Sequence, residues 1–195
     1  MTDAPVVGIL LAAGSATRFG GAKLAAVLPD GTPVGVAALR NLAASVDAVI
    51  AVVRPGDRVM EKAFAGQGAR VSVCPRASDG MGVSLGWGVR AAPVAAGWII
   101  ALADMPWIDP RTIGMIAQAL RDGAALAAPH YQGKRGHPVG ISKVFFGQLA
   151  ALSGDEGARH LLAANAASVQ VVDVNDAGVL RDIDTPADLI ATARE

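Results

Sequence analysis

The chain has 195 residues, in which 17 Lys and Arg balance 17 Asp and Glu, and it holds one cysteine, Cys74. A domain of this length buries roughly 70% of its unfolded surface, so with 52% apolar residues a full core forms without a disulfide or a structural metal. Zero net charge with no run of like charges excludes nucleic-acid binding by bulk electrostatics, and the charge-free stretch from Ala91 to Ala103 is too short and too broken by Pro and Gly to span a bilayer.

Asp3 and the lack of early Lys or Arg argue against a secretory leader, so the expectation is a single cytoplasmic domain over residues 1–195, with no membrane and no nucleic acid as partner. Val6 to Ala12 is a continuous apolar run stopping at Gly14, the pattern of a strand buried on both faces. Further strand-like runs follow at Ala48–Val53, Val71–Val73, Trp98–Ala103, Ala125–Ala128 and Val169–Val172. Helical patterns lie at Val36–Ala44, Arg58–Ala65, Val83–Ala92, Arg111–Arg121, Lys143–Leu152, Glu156–Ala164 and Ala187–Ala193. This alternation predicts a three-layer α/β fold, a mostly parallel sheet with helices on both faces. Between Tyr131 and Ser142 glycines and Pro138 break the rhythm, leaving a short strand-like piece at Val139–Ile141 and an irregular or antiparallel excursion.

In open sheets of this class ligands sit beyond the carboxyl ends of the strands. The first such loop runs from Leu11 through Ala12, Ala13 and Gly14 to Arg18, Gly20, Gly21 and Lys23. Small residues let backbone N–H groups approach an anion, and Arg18 and Lys23 supply two cations, a combination suited to a polyphosphate. Neither the Walker A spacing nor the Gly-x-Gly-x-x-Gly of a dinucleotide fold is present. A plain strand-to-helix turn with solvated cations fits the same composition.

The run from Trp98 to Leu102 ends in Ala103-Asp104-Met105-Pro106. A carboxylate there, beside a phosphate loop, suits Mg²⁺, which prefers carboxylate plus phosphate oxygens. Asp109-Pro110 is the better helix cap, leaving Asp104 for the site. Asp182-Ile183-Asp184-Thr185-Pro186 comes near the other end, and on residue type alone Asp184 reads as a turn or cap residue. Either Asp182 or Asp184 is a candidate to reach a common site with Asp104. Asp79 to Gly88 opens a helix with closely spaced glycines, each costing roughly 1 kcal/mol against alanine, so either an anion at its amides or close packing against the sheet keeps them. Trp87, Trp98 and Trp107 read as packing residues, and Cys74 as a small buried hydrophobe.

Leu-Ala-Ala-Gly with Arg18-Phe19-Gly20 and Lys23, Asp104-Met105-Pro106, and Asp182-Ile183-Asp184-Thr185-Pro186 together resemble the molybdenum cofactor nucleotidyltransferase family, MobA-like NTP transferases. The resemblance runs from Val6 to Leu189. It departs where the family often has Ser two positions before the Arg and this chain has Ala16. Gly-Met followed by Ser-Leu, and Ala13 where the guanylyl branch has Gly, resemble the cytidylyltransferase branch. The resemblance implies a nucleotide-diphospho-sugar transferase-like, Rossmann-like fold. It also implies Arg18, Lys23 and Asp104 as catalytic residues, and Mg²⁺ on Asp104 and Asp184. Leu11, Ala12, Ala13, Gly14, Asp79 and Ser84, with Arg18 and Lys23, would bind the nucleotide. Gly136-His137-Pro138 and the Gly154 to Arg159 turn resemble family elements, which assigns Arg135, His137 and Arg159 to the acceptor; a solvated loop tip is the plainer account of Arg135.

The implied reaction moves CMP from CTP to a pterin phosphate, molybdopterin or its molybdenum form, with release of pyrophosphate. GTP with another phosphate acceptor is the nearest alternative. Of another class are a non-catalytic carrier that delivers the cofactor to a molybdenum hydroxylase partner, and a nicotinamide oxidoreductase, which would lack its glycine fingerprint.

Overall fold

The run Val6–Ala12 forms strand β1 and is buried on both faces: Ile9 and Leu10 point opposite ways and neither has exposed surface. The computed structural model describes residues 4–14, 19–155 and 157–190. After β1 come helix α1 (Val34–Ala43), β2 (Ala48–Val53), α2 (Arg58–Gly66), β3 (Arg70–Val73), α3 (Met81–Arg90), β4 (Gly97–Leu102) and α4 (Pro110–Arg121). β1 pairs in parallel with β2 and β4, and β2 with β3, giving the order β3-β2-β1-β4. β1 is thus where the chain's progress across the sheet reverses, the position at which ligands of such sheets lodge.

The second half adds β5 (Leu126–Tyr131), β6 (Lys134–Arg135), β7 (Val139–Ser142), α5 (Phe146–Ala150), α6 (Arg159–Ala164) and β8 (Val169–Asp173). β7 lies antiparallel between β4 and β5, and β8 runs parallel to β5 at the edge. The expected excursion is therefore an antiparallel return inserted into the sheet. Three steps along β5, from Ala127 to His130, face five on the return, from Arg135 to Gly140. The two extra residues bulge at Gly136 to Pro138, where the His137–Pro138 bond is cis.

Side chains alternate between two cores. One contains Leu10, Leu39, Phe64, Ile99, Ile113 and Ile116 beneath α1, α2 and α4. The other contains Ile9, Val52, Leu85, Trp98, Ile141 and Leu149 beneath α3 and α5. Helix α4 starts as its sequence predicts, with Asp109 accepting from the amide of Arg111 and Pro110 in the first turn. A third, smaller cluster joins Leu28, Val34 and Ile183 with Phe19 and Trp107 packed on it.

Several element boundaries depart from expectation: α3 lies two residues earlier at both ends than Val83–Ala92, and β5 runs on to Tyr131. α1 begins at Val34, two residues early, because extended Pro33 caps it and Gly35 lies against Met60 and Phe64. The expected helix at Lys143–Leu152 is a 3-10 turn followed by the short α5, and α6 begins only at Arg159. The expected helix at Ala187–Ala193 is a 3-10 turn, Pro186–Leu189, in its described part: Asp188 Oδ2 turns back to accept from the amides of Thr185 and Asp184 and from the Thr185 hydroxyl. No described helix is long and apolar enough to cross a membrane.

Candidate active site

The carboxyl ends of β1, β2, β3 and β4 open onto a cavity of about 790 Å³. Its floor is the start of the first loop, Leu11, Ala12, Ala13 and Gly14, as the sequence predicted; Arg18 lies outside the described residues. After that loop the chain forms a 3-10 turn, Lys23–Ala25, whose Leu24 packs on the α1 side of the sheet and so directs Lys23 into the cavity.

Lys23 Nζ donates to Asp104 Oδ2 at 2.7 Å and stands 3.8 Å from Asp184 Oδ1. The three side chains are 13%, 24% and 44% exposed in that order, open enough to meet a ligand and sheltered enough to keep their geometry. Asp104 follows β4 directly. Asp184 arrives from the other end of the chain, on a strap anchored at several points. Asp176 Oδ2 accepts from the amide of Asp109 and the hydroxyl of buried Thr112, and its Oδ1 accepts from the amide of Gly178. The Gly178 backbone lies against the Trp107 carbonyl so closely that an added Cβ would sit 2.2 Å from that oxygen. Arg181 stacks 4.5 Å above the Trp107 ring. The amide of Ile183 donates to the Asp104 carbonyl at 2.9 Å. Ile183 is buried, and of its two neighbours Asp184 lines the cavity while Asp182 does not.

Among the described residues no cluster of three or more His, Cys, Asp or Glu could enclose a metal. Two carboxylates that share one cation are instead the donor set expected of a divalent ion completed by substrate phosphate and water, and Lys23 Nζ marks the point on which they converge.

Ser84 is buried and lines the cavity from α3. Asp79 is absent from the lining; Arg76 Nε holds its carboxylate at 2.7 Å, and that hydrogen bond keeps it below the usual carboxylate range. Arg135 and Arg159 are exposed and line no part of the cavity. His137 lies in the bulge, its amide donating to the Val179 carbonyl. Its Nδ1 is buried and meets no hydrogen-bond partner among the described residues. Burial, with Arg135 adding to it, pushes its pKa below the ordinary value, against the opposing pull of Asp104 and Asp182. Among the charged lining residues Arg54, after β2, carries no motif that singled it out beforehand, and Asp155, in the connection between α5 and α6, lies in the Gly154 to Arg159 turn, from which the resemblance drew Arg159 alone. Their position is set by strand order and by a distant loop, which local sequence does not display.

The α3 glycines have a packing explanation. A Cβ on Gly88 would lie 2.7 Å from Ile9 Cγ2, and one on Gly82 would lie 2.7 Å from the Ser153 carbonyl oxygen. The amide of Gly82 donates to Gly154 O at 2.7 Å.

Residues 8–170 match the MobA-like NTP transferase domain. The chain belongs to that family. It is 32% identical over 192 residues to the purine catabolism protein PucB of Bacillus subtilis, covering 93% of this chain and 92% of the relative. It is 31% identical over 194 residues to the nicotine blue oxidoreductase of Paenarthrobacter nicotinovorans, covering 94% and 95%. The crystal structure of Rv0371c from Mycobacterium tuberculosis superposes with a TM-score of 0.82 at 29% identity, covering 98% of this chain and all of that one. A manganese complex of the same protein superposes at 0.77, with 28% identity and coverage of 94% and 95%. The resemblance read from the motifs thus holds at the level of the family and of its α/β fold.

Proposed function

We propose that this protein is a Mg²⁺-dependent cytidylyltransferase of the cytoplasm, acting on CTP and a phosphorylated pterin, molybdopterin or its molybdenum form. The observation that carries the reading is the convergence of Asp104 and Asp184 on Lys23 beside the Leu11–Gly14 loop. Asp104 and Asp184 would hold the metal, which supplies charge neutralisation on the triphosphate when bound. Backbone amides of the small-residue loop orient the phosphates, and the Lys23 ammonium, together with Arg18, offsets charge that builds on the leaving group. An acceptor phosphate oxygen forms a bond to the α-phosphorus in line as the α–β bridging bond breaks, and pyrophosphate departs with that electron pair. The choice of CTP rests on Leu11-Ala12-Ala13-Gly14 and on Gly80-Met81 with Ser84-Leu85, which resemble the cytidylyltransferase branch. Arg135, His137 and Arg159 belong to the acceptor side in this reading.

The test is pyrophosphate release with Mg²⁺, a pterin phosphate and each of CTP, GTP, ATP and UTP in turn. Selective release with CTP supports the reading, and selectivity for GTP moves the protein to a guanylyl transfer. A second reading has its own observation: two relatives above 30% identity are named for purine catabolism and for an oxidoreductase, not for nucleotidyl transfer. A carrier serving a molybdenum hydroxylase would bind nucleotide or cofactor stoichiometrically and release no pyrophosphate. An oxidoreductase would consume NAD(P)H.

A further inference from the structure

Three carboxylates line the cavity, and they are not equivalent. Asp104 and Asp184 face Lys23, on the side served by α1 and the C-terminal strap. Asp155 comes from the opposite layer, carried by the chain between α5 and α6 and set against the first turn of α3. It is exposed, and it pairs with no cation among the described residues.

The seating is specific. Gly154 O accepts from the Gly82 amide at 2.7 Å, and a Cβ on Gly80 would fall 2.3 Å from that carbonyl and 2.6 Å from Asp155 Oδ1. Only glycine at 80 and 82 lets this chain segment come so close. The start of α3, which could have taken a phosphate, is therefore filled by the protein's own carbonyl and carboxylate. Both are acceptors and would repel a phosphate. Lys23 is shared by Asp104 and Asp184, where a divalent ion and the phosphates would lodge in the nucleotide-transfer reading, and Asp155 makes the far end of the cavity acidic. An ionised carboxylate only accepts hydrogen bonds, so the part of a nucleotide that suits the acidic end is uncharged and rich in O–H donors.

Resting on the nucleotide-transfer reading above, we infer that Asp155 is a substrate-contacting residue that accepts from the ribose hydroxyls of the bound nucleotide. Vicinal hydroxyls donating to one carboxylate are a recurring solution to ribose recognition on other nucleotide folds. Gly80 and Gly82 act as positioning residues, since their missing side chains admit the loop.

The experiment compares binding of CTP and 2′-deoxy-CTP, with Mg²⁺, to the full chain and to Asp155→Ala and Asp155→Asn, by calorimetry. The full chain should prefer CTP by about tenfold or more, the scale of one hydrogen bond to a charged group. Asp155→Ala should bring the two affinities to within about twofold, with affinity for inorganic pyrophosphate unchanged. A CTP preference that survives in Asp155→Ala overturns the assignment and leaves Asp155 a structural carboxylate, whatever the melting temperature does. Loss of discrimination between CTP and UTP in its place overturns it in favour of a base contact, and a rise confined to the acceptor KM overturns it in favour of the acceptor. If no nucleotide binds the wild-type protein, it is the nucleotide-transfer reading that fails, a separate outcome visible before any variant is made.

Discussion

The half of the sheet made of β3, β2, β1 and β4 and the half made of β7, β5 and β8 contribute to the cavity in different ways. The parallel half delivers its residues directly from strand ends: Leu11 to Gly14 after β1, Arg54 after β2, Asp104 after β4. The mixed half places no strand end in the cavity lining and reaches it through two returning segments, the Asp155 loop and the Asp184 strap. The first half needs only correct strand pairing to present its groups. The second needs tertiary anchors, among them Asp176, Trp107 and the Gly80–Gly82 contact. Substitutions in the two halves should therefore fail differently, the first mainly in chemistry and the second in positioning.

The sharpest break in that contrast comes from Asp104→Ala, expected to lower pyrophosphate release by about 10³-fold or more while the melting temperature stays near wild type. Retention of a tenth of the activity would sink the metal assignment. Lys23→Met should cost about 10²-fold, since one preorganised cation on the leaving phosphate is lost. Asp184→Asn and Asp182→Asn form a matched pair: the first should lower turnover by about tenfold or more, and the second should stay within about twofold because its side chain lies outside the cavity lining. Equal losses from both would show that the strap, and not one carboxylate, is what matters. Gly82→Ala sets a Cβ 2.7 Å from the Ser153 carbonyl, and should destabilise by about 1–3 kcal/mol, read as a lower denaturation midpoint.

The smallest effect concerns pH. Burial holds the His137 ring neutral, with its pKa below the ordinary value of 6.5, so below that pH the unfolded chain binds a proton that the folded chain resists. Its contribution to stability is complete above that value and declines as the solution is acidified toward the folded pKa. His137→Gln should flatten the acid-side decline in denaturation midpoint below about pH 6.5 relative to wild type. An unchanged slope would mean that the ring is solvated.

Legibility in the sequence followed the same division. β1 was readable because burial on both faces forces an unbroken apolar run, and Asp109-Pro110 was readable because capping is local chemistry. The family motifs marked Lys23, Asp104 and Asp184, and the geometry brings these three side chains together. Asp79 carries the same residue type as the cavity carboxylates, yet Arg76, three positions before it, takes its charge away from the cavity. Arg54 was not marked, and Asp155 only as part of the Gly154 to Arg159 turn, because what makes them cavity residues is the order of strands and the docking of a loop about 75 residues from α3 in sequence. The α3 glycines left two accounts open in sequence, and the carbonyls of Ser153 and Gly154 decide for packing.

The hydrogen bond from Ile183 to the Asp104 carbonyl also has a consequence for the order in which the protein can be made. A chain still being synthesised holds β1 to β4, the Leu11–Gly14 segment, Lys23 and Asp104 well before residue 184 emerges. It lacks its second carboxylate until residue 184 has emerged and the strap has docked on Trp107 and Asp104. In the proposed nucleotide-transfer reading an unfinished chain would hold a nucleotide without reacting, and the appearance of activity would report that the last segment has found its place.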